Sequence, residues 1–286
     1  MSQTHTLIAL VDGSVYSESV CNHAAWMAAK TGWSVKLYHV MDRRDDIAKQ
    51  DLSGAIRLGA RSALLEQLSD LDTARAKLAR EHGRAILEDA KSIILSRGDI
   101  TVESRLRQGD LVETITAKEE KGDLIVIGKR GEAAGQARAH LGSNLERILR
   151  ASNKPVLIAN HAFEPIEKLV VAFDGGASAM KALDYIAQNP IFADMTVSLV
   201  YAGRDAPEIR RAFAGAVSVL EAGGLKPDVV VEQGEPEAVL AATTAQAANE
   251  LLVMGAYGHS RVRALIIGST TTAVIRSCKC PVLIMR

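Results

Sequence analysis

The strongest constraint on the fold is an internal repeat, because three short segments recur in the same order in the second half of the chain. Residues 7–14 (LIALVDGS) recur as 169–176 (LVVAFDGG), 123–128 (DLIVIG) as 250–255 (ELLVMG), and 154–159 (KPVLIA) as 280–285 (CPVLIM). Three matches in one order indicate two copies of one structural unit. A chain of 286 residues is also long enough for two domains of ordinary size.

The two copies differ in length. The first segment recurs 162 residues further on, but the later two recur 127 and 126 residues further on, so the first copy is longer by about 35 residues. The spacing from Asp12 to His39 equals that from Asp174 to Tyr201, which places the extra length after the second apolar run. Leucine spacings near three and four predict a helical insertion at about 42–100, carried by Leu64, Leu65, Leu68, Leu71 and Leu78. We therefore predict domain 1 at 1–160 and a shorter domain 2 at 161–286.

Each copy contains five short runs that are rich in leucine and β-branched residues, with helical patterns between them. The runs are 7–11, 35–40, 101–106, 124–127 and 156–159 in the first copy, and 169–173, 196–201, 228–232, 251–254 and 282–285 in the second. Nearly continuous apolar runs are typical of parallel strands that are covered on both faces. We therefore predict an α/β fold with two tandem, doubly wound, five-stranded parallel sheets of the Rossmann-like type.

Composition excludes several functional classes. Lys and Arg number 34 and Asp and Glu number 34, so the formal net charge is zero. A chain without net positive charge has no general attraction for nucleic acid or for an anionic membrane. The first residues carry no basic leader, and no apolar run approaches the roughly 18 residues of a membrane span. We expect a soluble, cytoplasmic protein without nucleic-acid or membrane partners.

Cysteine and histidine give weaker signals. Cys278 and Cys280 have no further Cys or His at the spacing of a metal site, so we expect no metal there. Cys21 lies among alanines in a helical pattern, which predicts burial. The side chains of three histidines, His39, His140 and His259, titrate near neutral pH in model compounds, but no nucleophile or acid accompanies them in sequence.

The motif that carries chemistry follows the fourth run of the second copy. Gly255 and Gly258 are followed, after nine residues, by Gly268 and Ser269 at the start of a helical pattern. Glycines let the backbone approach a ligand closely, and the first N–H groups of a helix favour phosphate. The simpler interpretation is that these glycines only shape a loop and that Ser269 is a helix N-cap.

With this motif the chain resembles a tandem universal stress protein, whose two domains are of the adenine-nucleotide α-hydrolase-like type. The family's ATP-binding pattern, Gly-2x-Gly-9x-Gly-(Ser/Thr), is complete at Gly255, Gly258, Gly268 and Ser269. The resemblance implies that Asp174 lies near the adenine and ribose and that Ala202 offers backbone contacts to the base. We include Thr270, the hydroxyl next to Ser269, in this site.

The resemblance also has implications for assembly. In similar proteins the last strand of each domain pairs across a domain or subunit interface. Within this chain such pairing gives an intrachain pseudo-dimer, and it leaves room for a homodimer of tandem chains.

The first copy departs from the family pattern by one residue. Gly128 and Gly131 are followed by ten residues, rather than nine, before Gly142 and Ser143. One extra residue either misdirects the N–H groups of the loop or is absorbed as a bulge at Gly135. We therefore rank the domain 2 site above the domain 1 site.

Asp12 and Val40 complete the corresponding site in domain 1. The alternative for Asp12 and Asp174 is ordinary Asp-Gly turn chemistry that caps the following helix. Three basic residues of the domain 1 loop either add positive charge for phosphate or form a solvated basic loop: Lys129, Arg130 and Arg138.

The sequence contains no Walker-type P-loop, so it does not indicate a nucleotide-driven motor. It favours an ATP-binding stress-response or signalling protein, with or without Mg²⁺, whose nucleotide occupancy changes its conformation or its choice of an unidentified protein partner. Two alternatives stay open. One is a slow ATPase or autophosphorylating protein that uses Ser269 or Thr270, and the other is an interaction scaffold that binds no nucleotide.

Overall fold

The structure, a computed structural model, describes residues 5–41, 60–118, 122–131, 141–245, 249–256 and 268–285. Domain 1 contains β1 (Thr6–Leu10), α1 (Ser17–Thr31), β2 (Ser34–Met41), α2 (Ala60–Leu95), β3 (Val102–Gln108), α3 (Leu111–Thr116), β4 (Leu124–Gly128), α4 (Ser143–Ala151) and β5 (Val156–Ala159). Domain 2 contains β6 (Lys168–Ala172), α5 (Ala177–Gln188), a 3₁₀ turn (Pro190–Phe192), β7 (Thr196–Ala202), α6 (Pro207–Ala222), β8 (Pro227–Glu232), α7 (Pro236–Thr243), β9 (Glu250–Gly255), α8 (Ser269–Ser277) and β10 (Val282–Met285).

The strands form one ten-stranded sheet in the order β3-β2-β1-β4-β5-β10-β9-β6-β7-β8. Within each half of the sheet all neighbouring strands are parallel. The predicted α/β fold with two tandem doubly wound domains is therefore confirmed. All ten predicted runs are strands, and their ends differ from the prediction by at most two residues.

The two halves are joined by β5 and β10, which pair antiparallel with Leu157 opposite Leu283. Both strands are fully buried along their length. Without this pairing each would be a sheet edge with unpaired backbone groups, which invites aggregation. The predicted pseudo-dimer is thus built by the last strand of each domain.

The core has two layers, one on each face of the sheet. Leu7 and Ala9 of β1 point into the layer covered by α1, α2, α5 and α6, whereas Ile8 and Leu10 point into the opposite layer with α4 and α8. Both layers continue from domain 1 into domain 2. Burial on both faces explains why the strands read as continuous apolar runs in the sequence.

The length difference between the domains lies in the helix between the second and third strands. α2 has 36 residues, whereas its counterpart α6 has 16. The predicted helical insertion is confirmed over Ala60–Leu95, and residues 42–59 of that prediction lie outside the described residues. Its C-terminal part packs on the sheet through Leu87, Ala90 and Ile94.

The segment between β5 and β6 has no regular secondary structure. Ile166 of this segment is buried, and the Phe163 ring lies edge-on to His23 of α1 at a centroid distance of 4.8 Å. The domain boundary at 160/161 stays a prediction, although it falls within this connecting segment. Among the described residues no helix has the length and apolarity needed to cross a bilayer.

Candidate functional site

The candidate sites lie where the strand order reverses. In domain 1 the chain adds β2 and β3 on one side of β1, and then β4 and β5 on the other. Domain 2 repeats this arrangement around β6 and β9. The carboxyl ends of β1 and β4, and of β6 and β9, are therefore adjacent and form the crevice in which doubly wound proteins bind ligands.

In domain 1 the turn after β1 is held by Asp12. Its Oδ1 accepts hydrogen bonds from Ser14 N at 3.0 Å and from Ser17 Oγ at 3.2 Å. Gly13 has a φ of +80°, which suits glycine. Asp12 is therefore a turn former, as the simpler interpretation predicts, but it does not cap α1, whose N-cap is Tyr16.

The glycines of the domain 1 motif converge on this turn. A Cβ at Gly131 would lie 2.7 Å from Asp12 Oδ2, and a Cβ at Gly142 would lie 3.6 Å from Gly131 N. At Gly128 a Cβ would meet the side chain of Tyr16. Gly142 is the N-cap of α4 and Ser143 is its first residue. The structure thus brings together Asp12 and the motif glycines, although residues 132–140 of the intervening loop lie outside the described residues.

The neighbouring strand β2 contributes to the same turn. His39 Nδ1 donates a hydrogen bond of 2.9 Å to the carbonyl oxygen of Val11, directly before Asp12. Val40 is half-buried near the end of β2. The sequence singled out His39 only as a titratable group, since nothing in the spacing indicates that it supports the turn after β1.

In domain 2 Asp174 occupies the equivalent position at the end of β6. Its Oδ1 accepts a hydrogen bond from Gly176 N at 2.8 Å, and Gly175 has a φ of +75°. Gly176 itself is the N-cap of α5. Asp174 therefore also shapes a turn without capping the helix directly, and Ala202 is half-buried at the end of the adjacent strand β7.

The end of β9 packs closely on the first turn of α5. A Cβ at Gly255 would overlap the Oγ of Ser178, so this position requires glycine. Ser178 is the counterpart of Tyr16, which lies against Gly128 in domain 1. Both domains therefore use a glycine at the end of the fourth strand to bring this strand against the helix after the first strand.

The start of α8 lies beside the end of β9. Gly268 is the N-cap of α8, without a side-chain capping bond among the described residues, and Ser269 is its first residue. The alternative that Ser269 is the N-cap is therefore wrong. Ser269 and Thr270 are exposed. Gly258, the second motif glycine, lies outside the described residues, as do His140 and His259.

Thr271 connects α8 to the end of β9 through a hydrogen bond. Its buried Oγ1 donates a hydrogen bond of 3.3 Å to the carbonyl oxygen of Ala256, the residue after Gly255. Thr271 was not predicted as a site residue, because its partner lies 15 residues away in a loop whose path the sequence does not give. The first N–H groups of α8 are thereby held near the carboxyl end of β9, where they have no intrahelical partner.

The basic residue next to the domain 1 motif does not act as predicted. Lys129 was expected either to face phosphate or to be solvated, but its Nζ donates to the carbonyl oxygens of Arg276 at 3.1 Å and Cys278 at 2.8 Å. These carbonyls end α8 of domain 2, where the helix dipole favours a cation. Burial lowers the pKa of the Lys129 ammonium. Both expectations for Lys129 are wrong for this reason.

The predicted burial of Cys21 is confirmed. Cys21, Cys278 and Cys280 are free and buried. The hydrogen bond between the thiols of Cys278 and Cys280 lowers the pKa of Cys278 and raises that of Cys280. Among the described residues there is no group of three or more His, Cys, Asp or Glu side chains that could hold a metal ion.

The fold and its paired switch-point loops define a tandem α/β protein of the doubly wound class. The family model described as the universal stress protein family matches residues 4–160 and 202–286. The chain belongs to the universal stress protein family. A curated universal stress protein from Synechocystis sp. is 37% identical over 284 residues, which cover 98% of this chain and 99% of that protein. Another, from Mycolicibacterium smegmatis, is 22% identical and covers 72% of this chain and 77% of its own length.

Solved structures agree with this assignment at the level of the fold. A universal stress protein from Archaeoglobus fulgidus has a TM-score of 0.71, 22% identity, and coverage of 99% of this chain and 98% of its own chain. A structure from Pseudomonas aeruginosa, described as a putative universal stress protein, has a TM-score of 0.63, 17% identity, and coverage of 98% and 92%. The similarity extends over both tandem domains.

Proposed function

We propose that this protein is a stress-response or signalling protein that binds ATP at the carboxyl edge of domain 2, and that nucleotide occupancy changes its conformation or its choice of protein partner. The observation that carries the proposal is the position of Gly268. It begins the nine-residue helix α8, and a Cβ at Gly268 would lie 3.8 Å from the carbonyl oxygen of Ala256, so the helix start lies beside the end of β9. Backbone N–H groups at a helix start are a favourable environment for phosphate.

The residues at this edge fit a nucleotide. Gly255 allows β9 to reach the first turn of α5, and the hydrogen bond from Thr271 to Ala256 fixes the helix start near the strand end. Asp174 follows the adjacent strand β6, and we assign it to the adenine and ribose, with Ala202 near the base. Gly258, Ser269 and Thr270 complete the assignment, with the polyphosphate at the helix start. Mg²⁺ would be held mainly through the phosphates of ATP itself.

We propose domain 1 as a second, weaker site. Asp12, Gly128, Gly131, Gly142 and Ser143 are brought together at the end of β1 and β4, and Val40 lies on the neighbouring strand. Two features separate this site from that in domain 2. Its loop is one residue longer, and Lys129 is engaged with α8 rather than directed toward phosphate.

A cytoplasmic location is part of the proposal. Three free, buried thiols are stable in a reducing compartment, and zero net charge gives no general attraction to nucleic acid or to an anionic membrane. The protein partner that reads the nucleotide state is unidentified.

The proposal is tested by identifying small molecules that are released when the purified protein is denatured. Mass spectrometry should find ATP or ADP at up to about one equivalent in the parent protein and none in a Gly268→Glu variant, whose side chain would occupy the phosphate position with like charge. If neither protein carries nucleotide and added ATP does not bind, the proposal fails in favour of a scaffold. Phosphate release from added ATP, absent in the Gly268→Glu variant, would instead support the slow ATPase.

A further inference from the structure

The helix α2 has two parts with different surroundings. From Gly83 onward it packs on the sheet, where a Cβ at Gly83 would lie 2.8 Å from Leu106 and 2.9 Å from His39. Between residues 67 and 82 every side chain is exposed except Leu68 and Ala76, which are half-buried. At about 1.5 Å per residue, the part before Gly83 is roughly 35 Å long, and the exposure of residues 67–82 on all faces indicates that it projects from the domain.

This projecting part carries an apolar stripe. Leu71 and Leu78 are 54% and 64% exposed, and they lie seven residues apart on one face of the helix. Leu68, three residues before Leu71, lies on the same face. A helix that projects from its domain gains little stability from intrinsic propensity alone. An exposed leucine stripe on such a helix indicates a surface that packs against a partner.

The charges along the same part identify the partner. Residues 67–74 contain two acidic residues, Asp70 and Asp72, and no basic residue. Residues 75–82 contain one acidic residue, Glu81, and three residues with Arg or Lys side chains, Arg75, Lys77 and Arg80. A second copy of this helix in antiparallel orientation places each acidic part beside a basic part, whereas a parallel copy places like charges together.

We propose that the projecting part of α2 is a self-association surface, on which a second copy of this chain packs its own α2 antiparallel through Leu68, Leu71 and Leu78. With the two-fold axis near residue 73, Leu68 lies beside Leu78 of the other copy. In this register Asp72 lies opposite Ala74 of the other copy, one residue from Arg75, so Asp72 and Arg75 lie close enough to pair, twice by symmetry. The interface is separate from the β5–β10 pairing, which is complete within one chain, and it does not require nucleotide.

Sedimentation velocity of the full-length protein over the micromolar range tests the proposal. The parent should shift from monomer to dimer with concentration, and Leu71→Ser with Leu78→Ser should weaken the association at least about tenfold. Val229→Ser is the matched control, because Val229 is 44% exposed on β8, far from α2 in sequence and at the opposite edge of the sheet. Circular dichroism of each variant separates loss of association from loss of folding.

A charge exchange tests the antiparallel register. Asp72→Arg and Arg75→Asp should each weaken the dimer at low salt, and the two changes together should restore it, since each new Arg then faces a new Asp. A parent that stays monomeric at all concentrations overturns the proposal. So does a dimer that is unaffected by the leucine changes, or a double charge variant that associates no better than the single variants.

Discussion

The Nζ of Lys129 lies 2.8 Å from the carbonyl oxygen of Cys278, and this hydrogen bond connects the loop after β4 in domain 1 to the end of α8 in domain 2. The other end of α8 begins at Gly268, in the proposed ATP site. One short helix therefore contacts domain 1 at its C-terminus and forms part of the domain 2 site at its N-terminus. This contact gives the two sites a direct structural connection.

Replacement of Lys129 tests this connection. Lys129→Met removes the ammonium and leaves the carbonyls of Arg276 and Cys278 without their cation, so the free energy of unfolding should fall by about 1–2 kcal/mol. Urea denaturation measures the change. Lys279→Met is the control, because Lys279 is exposed beside the same helix end. Equal effects of the two substitutions would contradict the role given to the Lys129 contact.

The close approach of β9 to α5 predicts a specific steric effect. Gly255→Ala should lower the free energy of unfolding by about 1–3 kcal/mol, because the new methyl group overlaps Ser178. Ser178→Gly in the same chain should recover part of this loss. Gly215→Ala is the matched control, since nothing lies within 4 Å of a Cβ there and alanine favours the helix α6. A Gly255→Ala protein as stable as the parent would show that the strand end is not packed as described.

Asp110 is the N-cap of α3, and we expect its side chain to stabilise this helix. Its Oδ1 accepts from Val112 N and Glu113 N at 2.9 and 3.0 Å, and Arg147 Nη2 lies 2.5 Å from its Oδ2. Asp110→Ala should therefore cost about 1 kcal/mol of stability, measured by chemical denaturation. Asp205→Ala, which removes an exposed ion pair, serves as the comparison and should have no measurable effect. The prediction is wrong if the two variants are equally stable.

Because His23 is buried, we expect the stability of the protein to depend on pH. Burial lowers the pKa of His23 from 6.5 to about 4, and its Nδ1 donates to Ser19 O at 2.8 Å. Between these two values the unfolded chain binds a proton that the folded chain does not. The contribution of neutral, buried His23 to the free energy of unfolding is therefore fully present above pH 6.5 and is lost as the pH falls toward 4.

The loss should reach about 3 kcal/mol at most, on the basis of this pKa shift. His23→Leu should flatten the dependence between pH 6.5 and 4, as measured by thermal unfolding at several pH values. His5→Leu is the control, because His5 is exposed. An unchanged profile in His23→Leu would show that another group causes the acid sensitivity.

The elements of the fold could be predicted because they depend on local patterns. The inner strands have to be apolar because both their faces are covered, and the partly exposed edge strands β3 and β8 still contain β-branched residues, so ten runs were visible in the sequence. The repeat indicated how these runs divide into two domains. Gly255 and Gly268 were predicted as site residues because they match the family's ATP-binding pattern and because glycines let the backbone approach a ligand closely.

The missed features depend on distant partners. Lys129 reaches a helix end 147 residues away, and a basic residue in a loop does not indicate in sequence which carbonyls it meets. Thr271 and His39 were missed as supporting residues for the same reason, since each hydrogen bonds to the backbone of another element. Long-range polar contacts follow from the assembled topology, which periodicity alone does not give.

The most direct test of the central claim is a calorimetric titration of ATP into the parent protein, Gly268→Glu and the matched Gly142→Glu, with circular dichroism as a check on folding. We predict that the parent binds ATP, that Gly268→Glu loses the tighter binding, and that Gly142→Glu retains it. If the parent shows no binding, or if Gly268→Glu binds ATP as the parent does, ATP binding at the start of α8 is contradicted.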